Sequence, residues 1–178
     1  MRRLTIAGIL GGLLAVLTAC TPADEPIAAL AVQDGEPVGL LYVCRDGFSQ
    51  LSVYEADPAD DVHTSWHVVG DATAGVTEIP LLGPLPQGWK PSAALEDAPP
   101  SPEPSGPAVD RSRELEELRP DVRYRLSGRS HRNSLTVNFT TADFDRIGGD
   151  QVLAANGRDK MKVVSRETFV RVARASCE

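Results

Sequence analysis

Between residues 27 and 164 the apolar residues come in short runs, each closed by turn formers such as Asp34-Gly35, Asp46-Gly47, Asp57-Pro58 or Asn156-Gly157. Runs of this length suit strands and are too short for core helices, so most of the chain is committed to sheet. A sheet with one apolar face must bury it against another layer. The pattern predicts a mainly β sandwich over residues 27–178 as one domain, with a helix only at the C-terminus. The last forty residues exceed a plain seven-strand sandwich and leave an α+β fold as the alternative.

Ile27 to Val32 and Val38 to Cys44 flank Asp34-Gly35-Glu36-Pro37 and read as a hairpin. Arg45-Asp46-Gly47 makes the next turn, and Leu51 and Val53 lie in a third strand that ends at Asp57-Pro58. In a fourth strand Val62, Thr64, Trp66 and Val68 share one face while His63, Ser65 and His67 take the other, which makes Trp66 a core anchor. Val76 to Leu82 is a fifth strand, placed at a sheet edge because Pro80 has no N–H to donate. Eight of the 14 prolines fall within residues 84–107, which read as an exposed, extended loop. Its PxxP spacing would suit proline-binding modules, but those belong mostly to eukaryotic cytoplasm, so an inert loop is the expected reading. Trp89 either plugs the space beneath this loop or stands out from it as a contact.

Arg111 to Leu118 reads as a helical turn of mixed charge. The Leu-x-Pro-x-x-x-Tyr spacing of Leu118, Pro120 and Tyr124 resembles the tyrosine corner of fibronectin type III and immunoglobulin-like sandwiches. The resemblance implies an Ig/fibronectin III-like sandwich in which the Tyr124 hydroxyl bonds back to nearby backbone. Asp121 stands where that motif usually has glycine. Arg123 to Ser127 and Leu135 to Thr140 form a hairpin around Gly128 to Ser134, and Thr141 to Ile147 is a helical turn. Gln151 to Ala155 and Met161 to Val164 are further strands. Ser165 caps the closing helix, in which Phe169, Val172, Ala173 and Cys177 share one face.

The first nineteen residues carry a different message. Arg2 and Arg3 precede an apolar stretch from Leu4 to Leu17 that falls short of the roughly 20 residues of a membrane span and reads as an export signal. Leu17-Thr18-Ala19-Cys20 resembles the lipobox of bacterial lipoproteins. The resemblance implies cleavage before Cys20, diacylglyceryl modification of its thiol and attachment at the extracytoplasmic face of the cell membrane. Two acyl chains at about 0.8 kcal/mol per buried methylene make a firm anchor without a transmembrane helix. Residues 20–26 would then be a short tether. The layout as a whole is similar to actinobacterial-type lipoproteins of unknown function.

Export matters for the other two cysteines. Outside the cell the surroundings are oxidising, so Cys44 and Cys177 are expected to form a disulfide.

Charge is unevenly distributed: residues 20–110 hold 15 acidic and only 2 basic residues, whereas residues 111–178 hold 10 and 14. Within the basic half Arg123, Arg125, Arg129, His131 and Arg132 form a candidate anion-binding face for a wall polymer or lipid headgroup, unless the acidic half or Glu114, Glu116 and Glu117 neutralise them. Net charge of −7 and an extracellular address argue against nucleic acid. His63 and His67 sit too far apart on a strand to share a metal, and Asp143-x-Asp145 begins a calcium-loop pattern that lacks its later ligands. No nucleophile elbow, Ser-x-x-Lys pair or phosphate loop is present. Ser130 and His131 are neighbours on a turn, where side chains rarely face each other. These readings predict no catalytic site, no metal and no cofactor. The expected function is a lipid-anchored, non-catalytic envelope protein presenting its β domain to a protein or anionic wall polymer, with a small-ligand or ion-binding lipoprotein as the alternative.

Overall fold

The computed structural model describes residues 24–58, 63–92 and 112–178. The export signal, Cys20, most of the tether, Val62 and the proline-rich stretch from residue 93 onward lie outside the described residues. In chain order the strands are β1 (Ala28–Gln33), β2 (Glu36–Val43), β3 (Gly47–Glu55), β4 (His63–Ala72), β5 (Gly75–Pro80) and β6 (Trp89–Pro91). Then come β7 (Ser112–Glu114), β8 (Tyr124–Arg129), β9 (Val137–Phe139), a 3₁₀ turn (Thr141–Arg146), β10 (Gln151–Ala155), β11 (Met161–Ser165) and α1 (Arg166–Ala175).

They form a β sandwich. One sheet has the order β11-β10-β1-β2-β5 and the other β6-β4-β3-β8-β9, with β7 on the same edge of β4 as β6. The predicted first hairpin is present, with Asp34 at φ 52° and Gly35 at φ 86°, the paired positive angles that a two-residue hairpin turn requires. β5 is an edge strand, as Pro80 demands. Two glycines let the layers close on each other. A Cβ on Gly39 of β2 would lie 2.5 Å from Leu51 Cδ2 of β3, and one on Gly128 of β8 would lie 2.5 Å from Leu41 Cδ1 of β2. Leucines of each sheet therefore occupy space left free by glycines of the other.

The tyrosine-corner geometry is formed. Tyr124, fully buried, accepts the Arg119 backbone N–H on its hydroxyl at 2.8 Å, and its ring packs against Phe139 with centroids 5.6 Å apart. Asp121 takes φ 62°, which is why glycine is common there and why an aspartate can replace it.

The final forty residues extend the sandwich. β10 pairs with β1, β11 pairs with β10, and α1 folds across the outer face of that sheet. Ser165 caps the helix by accepting the Thr168 N–H, while Phe169 and Ala173 are buried. Arg174 donates to the Tyr42 hydroxyl, Arg166 pairs with Glu78 of β5, and Cys44 and Cys177 are joined in a disulfide. Desolvation works to raise the Glu78 pKa, but hydrogen bonds from Gln33 and Arg166, with the Arg166 charge, outweigh it and hold the carboxyl below its usual range.

Three segments differ from expectation. Residues 112–114 are not a helical turn: they pair in parallel with His63–Ser65 at the open edge of β4, where a tertiary partner outweighs local helix preference. The proline-rich segment is not loop throughout, because Trp89–Pro91 pairs antiparallel with Val68–Gly70 of β4. The Trp89 indole is buried against Gly70, the plug arrangement. The tether ends earlier than expected, since Glu25 bridges to Ser134 and exchanges backbone hydrogen bonds with Asn133 and Leu135.

Candidate functional site

The two sheets differ in what covers them. In β1 and β2 both faces are buried, one by the opposite sheet and one by α1, which explains their unbroken apolar sequences. β8 instead alternates buried and accessible residues, because its outward side chains meet no second layer among the described residues. A function carried by side chains has room on that outer face.

Register builds the face row by row. Ser127 lies opposite Ser52 and Arg129 opposite Gln50 across the β8–β3 ladder, and His67 lies opposite Ser52 across the β3–β4 ladder. Phe48 follows two residues before Gln50 on the same side and is 56% exposed. Beyond β8, Ser130-His131-Arg132 turns over to meet Arg45, brought there by the turn after β2. Arg45, one of the two basic residues of the acidic half, thus ends up beside the tip of the basic half.

Two adjoining hollows share Arg129. The first, about 310 Å³, is lined by Asp24, Gln50, Ser52, Ser127, Arg129 and Asn133. The second, about 440 Å³, is lined by Arg45, Asp46, Phe48, Arg129, Ser130 and His131. Together they make a polar strip along β3 and β8, from Ser52 and Ser127 to the hairpin tip.

The candidate arginines divide. Arg123 pairs with Asp57 at 3.1 Å and Arg132 with Glu25 at 3.2 Å, both partners coming from the acidic half. Arg125 and Arg129 have no carboxylate partner among the described residues. Arg45 Nη2 lies 2.5 Å from His131 Nδ1, an arginine donating to an imidazole instead of an acid. Ser130 Oγ is buried without a hydrogen-bond partner among the described residues.

His67 Nδ1 and Ser52 Oγ are 2.8 Å apart, and Gln50 also donates to that hydroxyl at 3.3 Å. Burial lowers the His67 pKa by disfavouring the charged imidazolium. The pair does not assemble a nucleophile: among the described residues no acid orients the ring, and Ser52 lies mid-strand, paired on both sides, where backbone amides serve the ladders and not an oxyanion. His63 and His67 lie on β4 as expected. No cluster of three or more His, Cys, Asp or Glu side chains forms among the described residues. Asp143 accepts from the Thr140 backbone N–H and from Arg146, closing the 3₁₀ turn. A third hollow, about 180 Å³ and mostly apolar, lies where α1 meets β10 and β11, lined by Pro26, Ala154, Phe169 and Val172.

Sequence reasoning missed Arg45, Phe48, Gln50 and the Ser130 hydroxyl. One signal was present: Phe48 breaks the polar outward series of Gln50 and Ser52. No family model, no curated protein and no solved structure matches this chain.

Proposed function

We propose that this protein is a lipid-anchored, non-catalytic binding protein of the bacterial envelope that engages an anionic wall polymer along the outer face of β3 and β8. Leu17-Thr18-Ala19-Cys20 supports the anchor, with the thiol of Cys20 carrying diacylglycerol at the extracytoplasmic face. The order β1-β2-β5 over β4-β3-β8-β9, with a tyrosine corner at the entry to β8, supports an Ig/fibronectin III-like domain. Such a fold carries no activity by itself, so the surface decides. The observation that carries the reading is the polar strip on the outer sheet face, ending in arginines that have no carboxylate partner among the described residues of an acid-rich chain. An elongated groove suits a polymer better than a compact metabolite.

Two measurements test it. Cys20→Ser should move the protein from the detergent phase to the aqueous phase on phase partitioning; unchanged partitioning refutes the anchor. Purified protein should sediment with isolated actinobacterial cell walls in a salt-sensitive manner, and the Arg45→Gln/Arg129→Gln variant should lose most of that binding. Equal sedimentation of variant and parent refutes the polymer reading.

A further inference from the structure

We propose that the hollow at the β8–β9 tip is a subsite for one anionic sugar unit, its phosphate or carboxylate held by Arg45, Arg129 and Ser130 and its ring lying on Phe48. The location rests on the proposed function; the ligand chemistry rests on the following geometry.

Arg45 and Arg129 line the same hollow, and neither has a carboxylate partner among the described residues. Arg119, Arg123, Arg132, Arg146 and Arg166 each have one, so the two arginines of the hollow are among those whose charge is left without a paired acid. The acid in the hollow is Asp46, whose Oδ1 already accepts the Ala74 N–H at 2.7 Å. Two guanidinium groups against one aspartate leave the hollow positive. Arginine forks match the oxygens of phosphate and carboxylate, and charge-assisted bonds of this kind are the strong ones.

A second observation is independent of charge. Ser130 Oγ is buried and makes no hydrogen bond among the described residues, although it belongs to a residue that lines the hollow. An orphaned buried hydroxyl costs stability unless something satisfies it, and a turn about the Ser130 Cα–Cβ bond would present it to an oxyanion held between the two arginines. His131, whose Nδ1 accepts from Arg45, carries its ring proton on Nε2 and so offers a further donor.

Phe48 decides the rest of the ligand. It is 56% exposed on the rim of this hollow, with polar residues on either side. A free inorganic anion has no use for an aromatic face, whereas the C–H face of a sugar ring packs on one and leaves its hydroxyls to Asp46. The volume, about 440 Å³, takes one such unit, and the adjoining hollow beyond Arg129 would take the next along a polymer.

The test is titration of the full chain in detergent micelles with glucose 6-phosphate, glucose and inorganic phosphate, followed by amide chemical shifts. Glucose 6-phosphate is expected to bind with a Kd on the order of 1 mM and glucose about tenfold more weakly. Arg45→Gln and Arg129→Gln should each weaken glucose 6-phosphate about tenfold, while Arg158→Gln, an exposed arginine in the β10–β11 turn, should leave it unchanged. Phe48→Ala should weaken glucose 6-phosphate and leave inorganic phosphate as it was. Equal binding of glucose and glucose 6-phosphate, or no effect of the arginine substitutions, overturns the subsite. Loss of both ligands in Phe48→Ala overturns the role of the ring. Sugar phosphate binding with no sedimentation on cell walls would uphold this subsite and refute the polymer; the reverse result would do the opposite.

Discussion

The disulfide is the perturbation whose magnitude follows most directly from the fold. Cys44 and Cys177 are separated by 133 residues, so the bond ties the end of β2 to the chain just beyond α1 and encloses nearly the whole domain. On the chain-entropy relation a loop of that length restricts the unfolded state by about 5 kcal/mol. Helix docking has other supports, namely the Ser165 cap, the Arg166–Glu78 pair and burial of Phe169 and Ala173. Replacing both cysteines by serine should therefore leave the native far-ultraviolet circular dichroism almost unchanged and act on the unfolding equilibrium. With a urea m-value of about 2 kcal/mol per M for a domain of this size, the midpoint should fall by roughly 2 to 3 M. Thiol titration of the unreduced, denatured full chain should find none free, since Cys20 is acylated in the same account. Two titratable thiols per chain, or a midpoint lowered by less than about 0.5 M, would refute the reasoning.

Three further outcomes are expected. Tyr124→Phe keeps the packing on Phe139 but leaves the Arg119 N–H without its acceptor, for a loss of about 1 to 2 kcal/mol in urea unfolding. Gly128→Ala drives a methyl into Leu41 and should cost about 1 to 3 kcal/mol, whereas Gly149→Ala, where a Cβ meets nothing within 4 Å, should be close to neutral by the same measurement. The folded pKa of His67 lies below the ordinary 6.5, so between the two values the unfolded chain binds more protons. The thermal midpoint should accordingly fall as pH drops from about 7 through the folded value, and His67→Gln should flatten that dependence; an identical slope in the variant would show that His67 does not carry it.

Much of the architecture was legible because it rests on local rules. Asp34-Gly35 marked the first hairpin by its tolerance for positive φ, Pro80 marked an edge, Ser165 marked a helix start and Leu118, Pro120 and Tyr124 marked the corner. β6 and β7 were not legible, since three-residue strands carry no period and exist only because β4 offers them an open edge. The sequence likewise showed the arginines of β8 but not their fates: Asp57 and Glu25 reach Arg123 and Arg132 only through the sheet pairing. Arg45 stands 84 positions from Arg129 in the chain, and nothing local announces that a turn after β2 will set it at the tip of a hairpin in the other half. The distant pairing that hides such a site from sequence is also what makes it three-dimensionally specific.

The most direct test of the central claim is to map, by amide chemical shifts on the isotope-labelled full chain, where oligosaccharides from an anionic wall polymer bind. Perturbations should concentrate at residues 45–52 and 127–134, along the two hollows that share Arg129. Perturbations centred on the apolar hollow between α1 and β10–β11, or none at millimolar ligand, would contradict it.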